Sequence, residues 1–106
     1  MYVITRVYET KPGQARLAAT LIAKIGKVYE DAGQRSPVQV SFNGGTLPGE
    51  INRAYMRWES EKIESPYRGG NTLPDASEFG GKLREITVRS WIEFEEKLTP
   101  DKFQES

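Results

Sequence analysis

Hydrophobic and polar positions along the chain predict a strand that leads directly into one long amphipathic helix. Residues 1–9 alternate between two faces and are rich in β-branched and aromatic side chains, which is typical of a strand. Lys11-Pro12-Gly13 follows as a turn, with the proline where a helix start tolerates its missing N–H. The next apolar residues recur at spacings of three and four: Ala18, Leu21, Ile22, Ile25, Val28, Tyr29 and Ala32. This spacing predicts a helix that packs on a sheet and ends at Gly33.

Three further segments alternate apolar and polar side chains, and we predict that they are strands. They comprise residues 38–43, 51–59 and 85–95. The glycine-rich loop 44–49 is suited to joining the first two of these segments as antiparallel neighbours.

Residues 60–82 are the irregular part of the pattern, because prolines and two glycine pairs interrupt any continuous helix there. Ser60 can cap a short helical turn at residues 61–64. Asp75 and Glu78 have the spacing of a capping box, so we predict a second short helix that begins at Ala76. We expect this helix to end near Gly80-Gly81 or shortly after them. A connection of this length with little regular structure is either functional or mobile, and the sequence leaves its role open.

The predicted order of elements is strand, helix, strand, strand, broken helix, strand, which is the split βαβ arrangement. A right-handed crossover places the third strand between the first and the second, and the last strand pairs on the other side of the first. The sequence therefore predicts an α+β, ferredoxin-like βαββαβ fold with a four-stranded antiparallel sheet in the order 4-1-3-2. At 106 residues the chain has the length of one domain, which we assign to residues 1–98, followed by a polar tail at 99–106.

Strand alternation divides the predicted sheet into two faces of different composition. The face expected beneath the helices carries Val3, Val7, Val38, Val40, Phe42, Ala54, Met56, Trp58, Ile86, Val88 and Ile92. The opposite face carries Tyr2, Ile4, Arg6, Tyr8, Gln39, Ser41, Asn43, Arg53, Tyr55, Arg57, Arg89, Trp91 and Glu93. Large aromatic residues beside several arginines suit neither a solvated surface nor a dry core, which indicates an interface or a cavity. The alternative is an open surface on which arginines lie over aromatic rings.

Composition removes several classes of function. Fifteen basic residues balance fifteen acidic ones, so we expect neither nucleic acid nor a membrane surface as a partner. The absence of cysteine and histidine excludes disulfides, thiolate chemistry and histidine-based catalysis, and we expect no cofactor and no metal. No apolar run is long enough for a membrane span or a signal peptide, so a cytoplasmic location is the default expectation.

At two places the chain resembles the dimeric α/β-barrel superfamily. The first is the initial strand followed by Lys11-Pro12-Gly13-Gln14 and a long helix, and the second is the ending Trp58-Glu59-Ser60 of the third strand. The chain is most similar to the branch that contains the antibiotic biosynthesis monooxygenase and NIPSNAP families. This resemblance implies a homodimer in which two sheets face each other with the helices outside, and a small pocket within or beside each sheet.

Two functions remain open at this point. The first is a cofactor-independent, monooxygenase-like enzyme that orients an electron-rich aromatic substrate and stabilises its anion. The second is a non-catalytic dimeric binding or interaction module of the NIPSNAP-like type, which the absence of histidine and of an acid–base pair favours. The sequence assigns no catalytic residue. The candidate residues for binding a small aromatic or anionic molecule are Tyr8, Asn43, Tyr55, Arg57, Arg89 and Trp91. Because same-face carboxylates are few, we expect an anion held by Arg57 or Arg89.

Overall fold

The computed structural model describes residues 1–105, which form one antiparallel sheet with helices on one side. The elements in chain order are strand β1 (Tyr2–Thr10), helix α1 (Ala15–Asp31), strands β2 (Gln39–Asn43) and β3 (Arg53–Ser60), helix α2 (Ser77–Ile86), strand β4 (Thr87–Glu96) and a 3₁₀ turn (Pro100–Lys102). The strand order β2-β3-β1-β4 confirms the predicted ferredoxin-like α+β arrangement. None of the helices in residues 1–105 is both long and apolar enough to cross a membrane. The 3₁₀ turn lies in the predicted polar tail, whose last residue, Ser106, is outside the described part.

Gly33 terminates helix α1 as the sequence predicts, two positions after the last helical residue, Asp31. Gly33 has a φ angle of +72°, which glycine adopts without a steric penalty. The N–H of Gln34 donates to the carbonyl of Tyr29 and the N–H of Gly33 donates to that of Glu30, both at 2.9 Å. These two bonds form a Schellman motif, which satisfies carbonyl groups of the last turn. The chain therefore turns sharply and brings Arg35 over the ring of Trp58.

The hydrophobic core lies between α1, α2 and the middle of the sheet. It is formed by Ala18, Ala19, Leu21, Ile22, Ala54, Met56 and Leu83. Ile22 is only 1% exposed, and burial of such a side chain stabilises the fold by about 1.5–3 kcal/mol. Gly26 lets the helix contact the chain that enters β2, since a Cβ atom there would lie 2.3 Å from Cγ2 of Val38.

The predicted face assignment of β1 is wrong, because the structure turns the opposite set of side chains toward the helices. The cross-strand pairs on the helix side are Ile4–Trp58, Arg6–Met56 and Tyr8–Ala54. On the uncovered side the pairs are Val3–Glu59, Thr5–Arg57 and Val7–Tyr55. Both faces of β1 carry apolar atoms, and Ile4 and Val7 are both buried. Alternation alone could not separate the faces, since Tyr and Arg also present long apolar stems.

Helix α2 runs through the glycine pair, near which or shortly after which we expected it to end, and continues to Ile86. Gly80 and Gly81 lie inside Ser77–Ile86, and β4 begins only at Thr87. Leu83 is buried in the core, and this packing outweighs the cost of about 1 kcal/mol that each helical glycine carries. Asp75 lies one position before the assigned N-cap, and its Oδ1 accepts a hydrogen bond from the N–H of Ser77 at 3.0 Å. Residues 61–76 contain neither helix nor strand.

Candidate ligand cavity and open sheet face

A cavity of about 370 Å³ lies on the helix side of the sheet, between the end of α1 and the irregular segment. The strands contribute Ile4, Arg6, Trp58, Ser60, Ile92 and Phe94; the end of α1 and the turn after it contribute Tyr29, Gln34 and Arg35; the segment after β3 contributes Lys62, Ile63, Glu64, Ser65, Pro66 and Arg68. The sequence predicts a pocket on the opposite face. The cavity lies where Ile92 and Phe94 of β4 remain exposed on the helix side of the sheet.

Arg35 is the central charged group of the cavity. Its guanidinium carbon lies 4.3 Å from the ring centroid of Tyr29 and 4.5 Å from that of Trp58, which are cation–π distances. Nη1 lies 3.9 Å from the sulfur of Met56, which is a weak acceptor. Burial lowers the pKa of Arg35, although an arginine remains charged at neutral pH. The two rings therefore hold a cation in place without neutralising it.

The cavity carries an excess of positive charge, although the whole chain has none. Its charged lining consists of Arg6, Arg35, Lys62, Arg68 and Glu64. Glu64 pairs with Arg68, with Oε2 and Nη2 3.4 Å apart. Within residues 1–105, neither Arg6 nor Arg35 forms an ion pair. Partly desolvated cations require an anion or water to satisfy them, so this lining suits an anionic group.

Tyr8 belongs to the helix-side layer, where it lies beside the cavity and outside its lining. Its ring packs against the core of α1 and β3. Burial raises the pKa of Tyr8, while the charges of Arg6 and Arg35 oppose that rise. The phenol is therefore neutral at pH 7. The structure thus separates Tyr8 from the other candidate residues with which the sequence grouped it.

Four of the candidate residues, Tyr55, Arg57, Arg89 and Trp91, lie together on the uncovered face of the sheet. The Trp91 ring has the guanidinium carbons of Arg53 and Arg89 at 5.1 and 5.0 Å from its centroid. Nε of Arg89 also lies 2.6 Å from Oε2 of Glu9. Nε of Arg57 donates to the hydroxyl of Thr5 at 3.1 Å. These contacts engage Nε of both arginines that we expected to hold an anion.

Asn43 reaches the same face, but its side chain is engaged in its own loop. Nδ2 donates to the carbonyl of Leu47 at 3.1 Å, and Oδ1 accepts from the N–H of Gly45 at 3.0 Å. Asparagine commonly stabilises turns in this way. Because the residue is buried and both ends of its amide are bonded, its geometry supports a structural role in the 44–49 loop.

Comparison with known proteins bears on the fold. No protein-family model matches the sequence, and no curated protein sequence matches it either. Among solved structures, an uncharacterised NIPSNAP domain protein from Burkholderia xenovorans matches with a TM-score of 0.55 over 100% of both chains, at 17% identity. This chain shares the fold of NIPSNAP domains. A protein from Agrobacterium tumefaciens matches with a TM-score of 0.52 at 17% identity, over 92% of this chain and 94% of its own.

The likeness confirms the expected relation to the NIPSNAP-like, ferredoxin-like fold. It adds nothing about individual residues, since identity at this level carries the fold alone. The description of the helix-side cavity therefore rests on the geometry of this chain, in which Arg35 lies between the end of α1 and β3.

Proposed function

We propose that this chain is a non-catalytic binding module of the NIPSNAP-like type, which holds a small molecule in the helix-side cavity. The cavity itself is the observation that supports this function. Its volume of about 370 Å³ falls in the range of roughly 300–1,000 Å³ that is typical of small-molecule sites. Its lining combines the apolar side chains of Trp58, Ile92 and Phe94 with polar and charged groups, Arg6, Gln34 and Arg35 among them. Ile92 and Phe94 are 38% and 45% exposed, and a ligand would remove this apolar surface from water.

Trp58 provides a direct test of the cavity. In a Trp91→Phe variant Trp58 is the only tryptophan, and its fluorescence reports on the cavity lining. We expect saturable quenching when a neutral probe, naphthylmethanol, is titrated into this variant. Ile92→Ser should weaken the binding by removing an apolar wall.

Val88→Ser is the matched control for that test, because Val88 is exposed on the same strand and is not part of the cavity lining. This variant should bind the probe as the parent does. Quenching that rises linearly without saturation, or equal losses in both variants, would contradict a binding site at the cavity.

We also propose that a second copy of this chain covers the open sheet face. The molecule measures 45 × 41 × 19 Å, and its two helices contact each other across one side of the sheet, so that the other side is left bare. On the bare side, Val7 stands between Tyr55 and Trp91 in the strand register. Aromatic side chains and arginines are enriched at the centres of protein interfaces.

The charges on the open face support a two-fold arrangement. Arg53 and Arg89 flank Glu9 at one end of β1, while Glu93 and Glu95 stand beside β1 toward its other end. Within the described residues, neither Glu93 nor Glu95 forms an ion pair. In an isologous dimer, the acidic end of one copy can lie over the basic end of the other.

A cofactor-independent monooxygenase-like enzyme is the second candidate function. The positive cavity lining favours it, because Arg6 and Arg35 could stabilise the anion of a phenolic substrate. With naphthol as the test substrate, naphthol and O₂ would give naphthoquinone and water, with one oxygen atom entering the ring. Oxygen uptake that depends on both the protein and naphthol, and that is lost in Arg35→Gln, would favour the enzyme over the binding module.

A further inference from the structure

The chemistry of the Arg35 side chain restricts the kind of ligand that the cavity can take. The rings of Tyr29 and Trp58 contact the guanidinium over its carbon atom. A guanidinium held over ring faces offers its N–H groups along its planar edge, where a carboxylate accepts two parallel hydrogen bonds. The sulfur of Met56 at 3.9 Å is the single side-chain acceptor that Arg35 contacts within residues 1–105. The edge therefore lacks a strong acceptor.

Arg6 adds a second cation to the same cavity. It enters from β1, beside Met56 in the strand register, and lines the cavity together with Arg35. The charge of Arg6 also contributes to lowering the pKa of Arg35, which indicates that the two guanidiniums repel each other. Two like charges that share a cavity make an anion between them favourable.

Apart from the two arginines, the residues that line the cavity favour a singly charged anion over phosphate. Tyr29 and Gln34 place the C-terminal end of α1 at the cavity, and this end of a helix carries partial negative charge. No helix begins among the residues that line the cavity, so the N–H groups that commonly bind phosphate at helix N-termini are absent from this lining. Apolar side chains such as Ile92 and Phe94 instead offer contact to a hydrocarbon body.

We infer that the cavity binds a small apolar carboxylate, an aryl or alkyl acid whose carboxylate is held by Arg35 and Arg6 and whose body lies against Trp58, Ile92 and Phe94. The inference rests on the proposed binding function and names the class of ligand for it. The anion would then bind on the helix side of the sheet, whereas the sequence predicts it at Arg57 or Arg89 on the open face.

Calorimetric titration of the unmodified chain with naphthoate and with naphthamide tests this assignment. The two probes share their ring system and differ in charge. We expect naphthoate to bind about ten- to a hundredfold more tightly, as is typical of hydrogen bonds to a charged group. Arg35→Gln should remove most of this difference with little change for naphthamide, and Arg6→Gln should remove part of it. Arg89→Gln, on the open face, should leave both affinities unchanged.

Each other outcome overturns a defined part of the assignment. Equal affinity for naphthoate and naphthamide would refute the carboxylate site and leave the binding function standing. Absence of binding by both probes would refute the binding function and the carboxylate site together. If naphthoate kept its advantage in both Arg35→Gln and Arg6→Gln, with thermal melting showing folded variants, these two arginines would not be the recognition residues.

Discussion

At the scale of single residues, Gly26 shows how close α1 lies to the sheet. A Cβ atom at this position would lie 2.3 Å from Cγ2 of Val38. Alanine would favour the helix by about 0.8–1 kcal/mol, but overpacking against a branched side chain costs about 1–3 kcal/mol. We expect Gly26→Ala to lower the free energy of unfolding by about 1 kcal/mol, measured by urea denaturation.

A double mutant separates this clash from other effects of the substitution. Val38→Ala removes the methyl group that the new Cβ would meet, so the two substitutions together should cost less than the sum of their separate costs. Strict additivity would show that contact with Val38 is not the cause of the loss. A Gly26→Ala variant as stable as the parent would show that the helix shifts without penalty.

For individual site residues, the sequence predicts which side chains share a face of the sheet, but it does not predict which groups they contact. Tyr55, Arg57, Arg89 and Trp91 share the face that alternation predicted. Arg35 was missed, because it lies in the turn after α1, where no periodicity relates it to a strand. Gly33 signalled that the chain turns there, yet only the packed structure reveals that the turn brings Arg35 over Trp58.

At the scale of secondary-structure elements, α2 carries two glycines that its structure does not require. Neither Gly80 nor Gly81 has a positive φ angle, and an added Cβ at either meets no atom within 4 Å. Gly80→Ala and Gly81→Ala should therefore each raise the free energy of unfolding by about 0.5–1 kcal/mol. Urea denaturation of the single variants measures this gain.

Gly33 is the matched control, because it is also a glycine at a helix but has a φ angle of +72°. Gly33→Ala should destabilise the chain, since alanine is strained in the left-handed region. If alanine had the same effect at all three glycines, their backbone conformation would not be the cause.

Helix α2 also shows which features of an element its sequence pattern does not determine. Glycine and proline correctly predicted an irregular segment, and residues 61–76 contain neither helix nor strand. They also predicted that α2 ends near Gly80-Gly81 or shortly after them, because propensity does not include the burial of Leu83 against α1. Similarly, alternation placed β1 in the sheet but could not decide which side of it faces the helices.

At the scale of the whole molecule, the open sheet face leads to a prediction about assembly. Tyr55 lies near the middle of this face, so Tyr55→Asp should place a charge in the proposed dimer interface and weaken association. Analytical ultracentrifugation at micromolar concentration should show a dimer for the parent chain and a larger monomer fraction for this variant.

Lys27→Asp serves as the control, because Lys27 is exposed on α1, away from the sheet, where it pairs with Asp31 at 3.1 Å. It should leave the dimer intact. A parent chain that sediments as a 12.0 kDa monomer would contradict the dimer proposal and leave the cavity proposal unaffected.

The strand order and the one-sided helix layer could be predicted because both follow from local pattern and from the handedness of connections. The cavity could not, because its position depends on where an aperiodic segment packs. Seven of the residues between 60 and 68 line one wall of it, and their sequence carries no repeat that would relate them to Ile92 or Phe94.

The alternation of β1 between the cavity and the open face bears on how this chain could tolerate changes in length. Arg6 lines the cavity, while the adjacent Thr5 and Val7 belong to the opposite surface. Deleting one residue from β1 would move the side chains beyond the deletion to the opposite face of the sheet, and so would change both the cavity lining and the open face. A deletion at the exposed Gly69-Gly70 tip would leave the alternation of β1 unchanged, so natural length variation should occur there more readily than in β1.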